Sequence, residues 1–242
     1  MNEQRVSDTR TAKTRRQWDS RTTRWDHDVF ASPTFALLRE RLLVAASPKS
    51  HDRCVDLGAG TGFLTLALAP QVSFTLAVDI SPDMLAVLHS RACESRVRNV
   101  SAVVADLARF DLAPNSVDLV VSSYALHHLT DRQKIDLLLR SRAWLRPGGR
   151  IVIADMMFGR GGSRRDRKIL RAKVARMVRK GPGGLVRIVK NVGRFGLRIG
   201  SDRPVPPEFW MAAMRDAGFI DVEQEPAVAE ACVVFGRAPT LS

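Results

Sequence analysis

The chain has 242 residues, 45% of them hydrophobic, and a formal net charge of +13. That length holds one large domain with a sizeable core, and an apolar share of this size excludes a wholly disordered chain. No run of about 18 apolar residues is present, which excludes a transmembrane helix. The opening MNEQRVSDTRTAKTRRQ is polar and basic rather than signal-like, so a cytoplasmic protein is expected.

The placement of the charge is more informative than its size. Fifteen Lys or Arg residues and two acids, Asp166 and Asp202, fall between Gly159 and Arg203, so this stretch carries the whole +13. The rest of the chain is balanced, with 23 basic and 23 acidic residues. Such a segment usually faces a polyanion or an anionic surface. Cys54, Cys93 and Cys232 are far apart, each in an apolar stretch, and none has metal spacing. All three are expected to be small buried hydrophobes, and no metal is expected.

In chain order, a polar arm runs to residue 16. A helical stretch follows with two Trp-Asp pairs, Trp18-Asp19 and Trp25-Asp26, the tryptophans seven apart on one face. Ser32-Pro33 opens a helix over Thr34 to Ala45. Strands are expected at Arg53–Leu57, Phe74–Val78, Val100–Ala105, Val117–Ser122 and Arg150–Ala154. Helices are expected between them: Phe63–Ala69, a helix from Ser81-Pro82-Asp83 to Arg96, and Asp131–Leu145, stopped at Arg146-Pro147-Gly148-Gly149. The basic segment then reads as two amphipathic helices. Leu170, Val174, Met177 and Val178 recur at helical spacing, Gly181-Pro182-Gly183-Gly184 breaks the run, and Leu185, Ile188, Val189 and Val192 repeat it. A helix over Pro207–Ala217 and strands at Phe219–Glu223 and Ala231–Arg237 close the chain. Alternation of this kind implies a doubly wound α/β fold, a parallel sheet with helices on both faces.

The stretch Val55-Asp56-Leu57-Gly58-Ala59-Gly60-Thr61-Gly62 follows a strand and opens a helix. Its glycines let the backbone turn sharply and approach a ligand, and the helix start presents free N–H groups. Asp56, two residues before the first glycine, disfavours a pyrophosphate there because like charges repel. An acid at that place suits a cationic ligand instead. Asp79 ends the second strand and can accept hydrogen bonds from ribose hydroxyls, and Asp106, at the end of the third, can reach an adenine amino group. Helix capping or solvated strand ends are the plainer alternatives for these three acids.

VDLGAGTG, AVDIS, VVADL, VDLVVSSYALHHL and LRPGGRIVIAD, in that order, resemble the motifs of the class I S-adenosylmethionine-dependent methyltransferases. The resemblance covers Trp18 to Asp155, with AGFIDVE near the end. It implies a seven-stranded, mostly parallel sheet with one antiparallel strand, and S-adenosyl-L-methionine at its carboxyl edge, leaving as S-adenosyl-L-homocysteine. By matching position it implies that Asp56, Gly58, Gly60 and Gly62 hold the methionine part. Asp79 and Ile80 would hold ribose and frame adenine, Asp106 and Leu107 would hold adenine, and Ser122 would lie against the sulfonium side. Trp18 and Trp25 resemble an aromatic lid helix over the cofactor, where a ring face attracts a sulfonium; otherwise they only anchor their helix.

Methyl transfer needs an aligned nucleophile, and a base only where the acceptor must lose a proton. His127, His128 and Tyr124 are the candidates, and local packing is the alternative for each histidine. The Asn/Asp-Pro-Pro-Tyr pattern of the family's nucleic-acid amino methylases is replaced here by Ser122-Ser123-Tyr124-Ala125. The basic segment, residues 159–203 between the fifth and sixth strands, caps the acceptor site in one reading. In a second it lies on an anionic membrane and admits a lipid-like acceptor. In a third it grips RNA. The reading favoured is a single-domain methyltransferase acting on a small-molecule or lipid-like acceptor. An RNA methyltransferase and a non-catalytic S-adenosylmethionine-binding module remain as alternatives, and the oligomeric state is left open.

Overall fold

The computed structural model describes residues 11–12, 14–159, 164, 166–168, 171, 175, 202–228 and 230–240. Most of the arm and most of the basic segment, including both of its expected amphipathic helices, lie outside the described residues.

Seven strands form one sheet: β1 (Arg53–Leu57), β2 (Phe74–Asp79), β3 (Val100–Val104), β4 (Val117–Ser123), β5 (Leu145–Met156), β6 (Ile220–Pro226) and β7 (Ala231–Arg237). Their order is β3-β2-β1-β4-β5-β7-β6. The first five pair in parallel, whereas β7 runs antiparallel to both of its neighbours. The expected single reversed strand is therefore β7. Among the described residues, the helices that accompany the sheet include α1 (Thr22–Phe30), α2 (Pro33–Ala46), α3 (Thr65–Leu68), α4 (Pro82–Glu94), α5 (Asp131–Trp144) and α6 (Pro207–Asp216).

Period-2 alternation divides each central strand between two cores. Val55, Leu57, Val120, Ile151 and Ile153 face Leu137 and Leu138 of α5 and Trp210 and Met214 of α6. Cys54, Leu119, Val121, Val152 and Ala154 face Leu38, Leu42 and Ala46 of α2. Both faces are covered, which is why these strands read as continuous apolar runs.

Local chemistry sets the ends of the elements. The Ser81 hydroxyl accepts from the Met84 amide at 3.2 Å and starts α4. Thr130 and Gln133 form a reciprocal capping box on α5. Gly218, at φ +86°, follows α6.

Four expectations are corrected. The helix after the glycine loop begins at Thr65 rather than Phe63, because Gly60 and Gly62 take positive φ and delay the helix. Arg146–Gly149 is an irregular stretch inside β5, marked by a register shift against β4, rather than a clean stop. The two tryptophans do not share a continuous helix, since a turn at residues 20–21 separates them. Cys93 is exposed on α4, whereas Cys54 and Cys232 are buried as expected.

Candidate active site

The carboxyl ends of β1, β2 and β4 open into a cavity of about 440 Å³. The parallel strands bring their C-terminal ends to one edge, and the split in chain order between β1 and β4 leaves a crevice there. Asp56, Asp79 and Asp106 all line it, as do Gly58, Gly60, Ile80 and Leu107.

Asp56 is 1% exposed. Burial pushes its carboxyl up to about 7, against the pull of a hydrogen bond from Thr65 and helped by the negative Asp79 nearby. The Thr65 hydroxyl donates to it at 2.6 Å. Asp79 accepts from the Gly60 amide at 2.8 Å and the Ser81 amide at 2.9 Å, so it also braces the glycine loop. Burial raises its pKa above the ordinary carboxylate value, while those amides and that of Ile80 oppose the rise.

Gly58 sits at φ +79°, and a Cβ there would lie 2.2 Å from the Ala125 Cβ. Gly62 does something other than expected. It is not among the cavity's lining residues, and a Cβ on it would meet the Leu88 Cγ at 2.9 Å, so its smallness serves the packing of α4 against the loop. Ser122 is likewise corrected: it is 1% exposed and donates to the Leu57 carbonyl at 2.7 Å. Strand alternation turns its neighbour Ser123 into the cavity instead.

Aromatic side chains close the other side. Trp18 and Trp25 both line the cavity and meet edge to face at 5.5 Å. Trp25 packs on Phe35, which packs on Tyr124. Phe35 and Phe63 also line the cavity; their isolated positions in the sequence carry no signal for a site. Polar contacts hold the helical segment that carries the two tryptophans. Asp26 accepts both Arg91 guanidinium nitrogens, at 2.5 and 2.7 Å, and Asp19 accepts from Ser81 at 2.6 Å. The Thr11 hydroxyl donates to Asp106 at 2.6 Å, the acid expected to meet adenine.

The three catalytic candidates separate. His128 lines the cavity and meets Trp18 edge-on at 5.1 Å. Tyr124 lines it too, at φ +52°. Burial, followed by the charges of Glu230 and Asp155, raises its hydroxyl pKa. His127 is buried outside the cavity lining. Its Nδ1 lies 2.6 Å from Asp155 Oδ1, and its backbone amide donates to Asp155 Oδ2 at 2.8 Å. Asp155 belongs to the last turn of β5 but was not singled out by the sequence; its place at a strand end, like that of Asp79, was the available signal.

Residues 54–149 match the methyltransferase domain family. A methyltransferase of uncharacterised function from Geobacillus kaustophilus is 31% identical over 131 residues, covering 54% of this chain and 56% of the relative. The chain thus spans little more than half the length of the curated relatives it matches. Among solved structures, a chain of the complex between the Haloferax volcanii Trm112 methyltransferase activator and a methyltransferase superposes with TM-score 0.68 at 18% identity. That match covers 92% of this chain and 97% of the other. The [4+2]-cyclase SpnF superposes with TM-score 0.63 at 13% identity, over 84% of this chain and 80% of that one. At such identities the likeness is one of fold.

Proposed function

We propose that this chain, whose residues 54–149 match the methyltransferase domain family, transfers a methyl group from S-adenosyl-L-methionine to a small-molecule or lipid-like acceptor. The observation that carries this reading is the cavity in which three strand-end carboxylates face an aromatic wall. That donor set fits a ligand with an ammonium, a ribose, an adenine and a sulfonium. Bound there, the cofactor supplies an electrophilic methyl group.

The chain's own residues bind, orient and exclude water. Ionised Asp56 pairs with the ammonium. Asp79 takes the ribose hydroxyls on the lone pairs that Gly60 and Ser81 leave available. Ile80 and Leu107 frame the adenine, and Asp106 exchanges its Thr11 bond for the adenine amino group. Trp18 and Trp25 cover the sulfonium and keep water from it. Alignment of the acceptor against the methyl group supplies most of the acceleration. His128 is the residue placed to take a proton from a hydroxyl acceptor, and Tyr124 to donate a hydrogen bond to it. His127 acts on neither directly.

The acceptor enters beside the basic segment. Its last described residues reach the site: the Arg203 amide donates to the His127 carbonyl, and Lys134 Nζ donates to the Arg203 carbonyl, each at 2.6 Å. The apolar half of the wall favours a small or lipid-like molecule over a nucleotide base. The charge of the segment favours the second reading, RNA.

Calorimetric titration with S-adenosylmethionine and, separately, NAD tests the cofactor. Binding of S-adenosylmethionine alone supports the reading, and binding of NAD alone overturns it. Formation of S-adenosylhomocysteine separates a transferase from a binding module, a separation made pointed by a cyclase on the same fold. Salt-sensitive flotation with anionic liposomes, set beside RNA retention, separates the two acceptor classes.

A further inference from the structure

Among the described residues one group of side chains could hold a metal ion: His127, His128 and Asp202, whose candidate ligand atoms lie within 4.8 Å of one another. We propose that these three bind a divalent first-row transition ion at the edge of the cavity. The sequence hid this site, since Asp202 is more than seventy residues from the histidines and no spacing rule joins them.

The support around the three residues is what separates them from a chance cluster. Asp155 holds His127 twice, by ring and by backbone, at 2.6 and 2.8 Å. A proton on Nδ1, shared with Asp155, leaves the Nε2 lone pair as the ligand. A histidine whose other nitrogen is held by a carboxylate is the usual state of a metal-bound imidazole, because that bond fixes the tautomer and raises basicity. The His128 ring lies beside it, with centroids 4.0 Å apart. The third ligand is brought in by anchored backbone. Arg203, next to Asp202, is held through its amide by the His127 carbonyl and through its carbonyl by buried Lys134.

The separation of the ligands points the same way. Asp202 Oδ1 lies 3.3 Å from His128 Nδ1. A charge-assisted hydrogen bond would draw them to about 2.7–2.9 Å. Two ligands at about 2.0–2.1 Å from a tetrahedral ion are about 3.4 Å apart. Asp202 is 58% exposed at its side chain, so it can close the remaining distance to His127 by a rotamer change.

Two imidazoles and one carboxylate select zinc, cobalt, nickel or iron over magnesium and calcium, which prefer oxygen. Three protein ligands leave a position open for an exogenous one. His128 also lines the cavity, so that position takes an oxygen of the acceptor, a hydroxyl or carboxylate; with the ion bound His128 is a ligand rather than the base, and the ion lowers the pKa of a coordinated hydroxyl in its place. The role toward the acceptor rests on the methyltransferase reading; the ion site does not.

The test is a titration of tag-free protein with cobalt(II), followed by visible d–d absorption, with zinc competing. One equivalent is expected to bind. Asp202→Asn, a change at an exposed side chain that leaves the fold intact, is expected to lower the affinity at least about tenfold, and Asp155→Asn by about 10–100-fold. Absence of a d–d spectrum overturns the site. So does a spectrum whose affinity is unchanged in both Asp202→Asn and His128→Gln, which would assign the ion to exposed His27, His51 or His89. Cobalt binding without S-adenosylmethionine binding would retain the ion site and remove the cofactor reading.

Discussion

Asp56 carries a pH signature. Its folded pKa of about 7 lies well above the ordinary Asp value of about 3.9. Between those two values the free protein holds a proton that the unfolded chain has released, so this group's contribution to stability falls as pH rises from about 4 to about 7. A bound ammonium favours the ionised carboxylate. Binding of S-adenosylmethionine therefore releases a proton below about pH 7, and affinity falls on acidification by at most about tenfold per pH unit. Calorimetry in buffers of different ionisation enthalpy at pH 6 reads that proton directly. Asp56→Asn should abolish the dependence, and a persisting one would count against the ammonium pairing. Asp79→Ala is expected to weaken S-adenosylmethionine binding by about 1–3 kcal/mol; unchanged affinity in a folded variant would remove Asp79 from the site. Gly58→Ala forces a Cβ to 2.2 Å from Ala125 at φ +79°. It should cost roughly 2–4 kcal/mol of stability by denaturant unfolding. Adding Ala125→Gly should recover the steric part and leave about 1–2 kcal/mol of backbone strain. The residue-level site was legible wherever chemistry and local backbone coincide: the acids at the strand ends and Gly58 and Gly60 stand where their types demanded. Ser122 and Gly62 were misassigned because pleat direction and helix packing, not residue type, decide what they face.

At the scale of elements, helix α1 is the informative piece. Helix α1 buries only Thr22 and Val29, so its own apolar contact is small. It is held mainly by the bidentate Asp26–Arg91 pair, whose side chains are 20% and 27% exposed, and by the ring contacts of Trp25. A partly exposed bidentate pair is worth roughly 1 kcal/mol. Arg91→Met should therefore leave the global unfolding transition nearly unchanged, within about 1 kcal/mol, while hydrogen exchange in residues 22–30 accelerates several-fold. Equal loss of protection in β1 and β4 would mean that the latch supports the whole sheet. Two helix starts were readable from Ser32-Pro33 and Ser81-Pro82, whereas the Thr130–Gln133 capping box that opens α5 emerged only from the structure. The break at residues 20–21 was not readable, since the sequence there contains neither Gly nor Pro.

At the scale of the molecule, large side chains fill the core between the sheet and helices α5 and α6. Trp144 is wholly buried where α5 runs into β5, and its indole N–H donates to Asp111 at 2.6 Å. Trp144→Ala should cost about 3–5 kcal/mol in chemical denaturation, and a loss below about 1 kcal/mol would show that the site collapses without cost. The charge asymmetry also belongs to this scale. A neutral body joined to a segment of +13 is expected to associate with anionic surfaces with a steep salt dependence. No helix among the described residues is long and apolar enough to cross a membrane.

By itself the sequence determined the order of strands and helices, and it picked out Asp56, Asp79, Asp106, Gly58 and Gly60, which line the cavity. Each of these is set by periodicity, capping chemistry or backbone conformation within a few neighbouring residues. The tertiary structure alone decided which face each side chain takes and which distant residues meet. Asp155 clamps His127 across two strands, Asp202 arrives beside His128 from the far end of the basic segment, and Thr11 meets Asp106 from 95 residues away. Such meetings depend on where the sheet brings separate segments in space, and no local pattern encodes that.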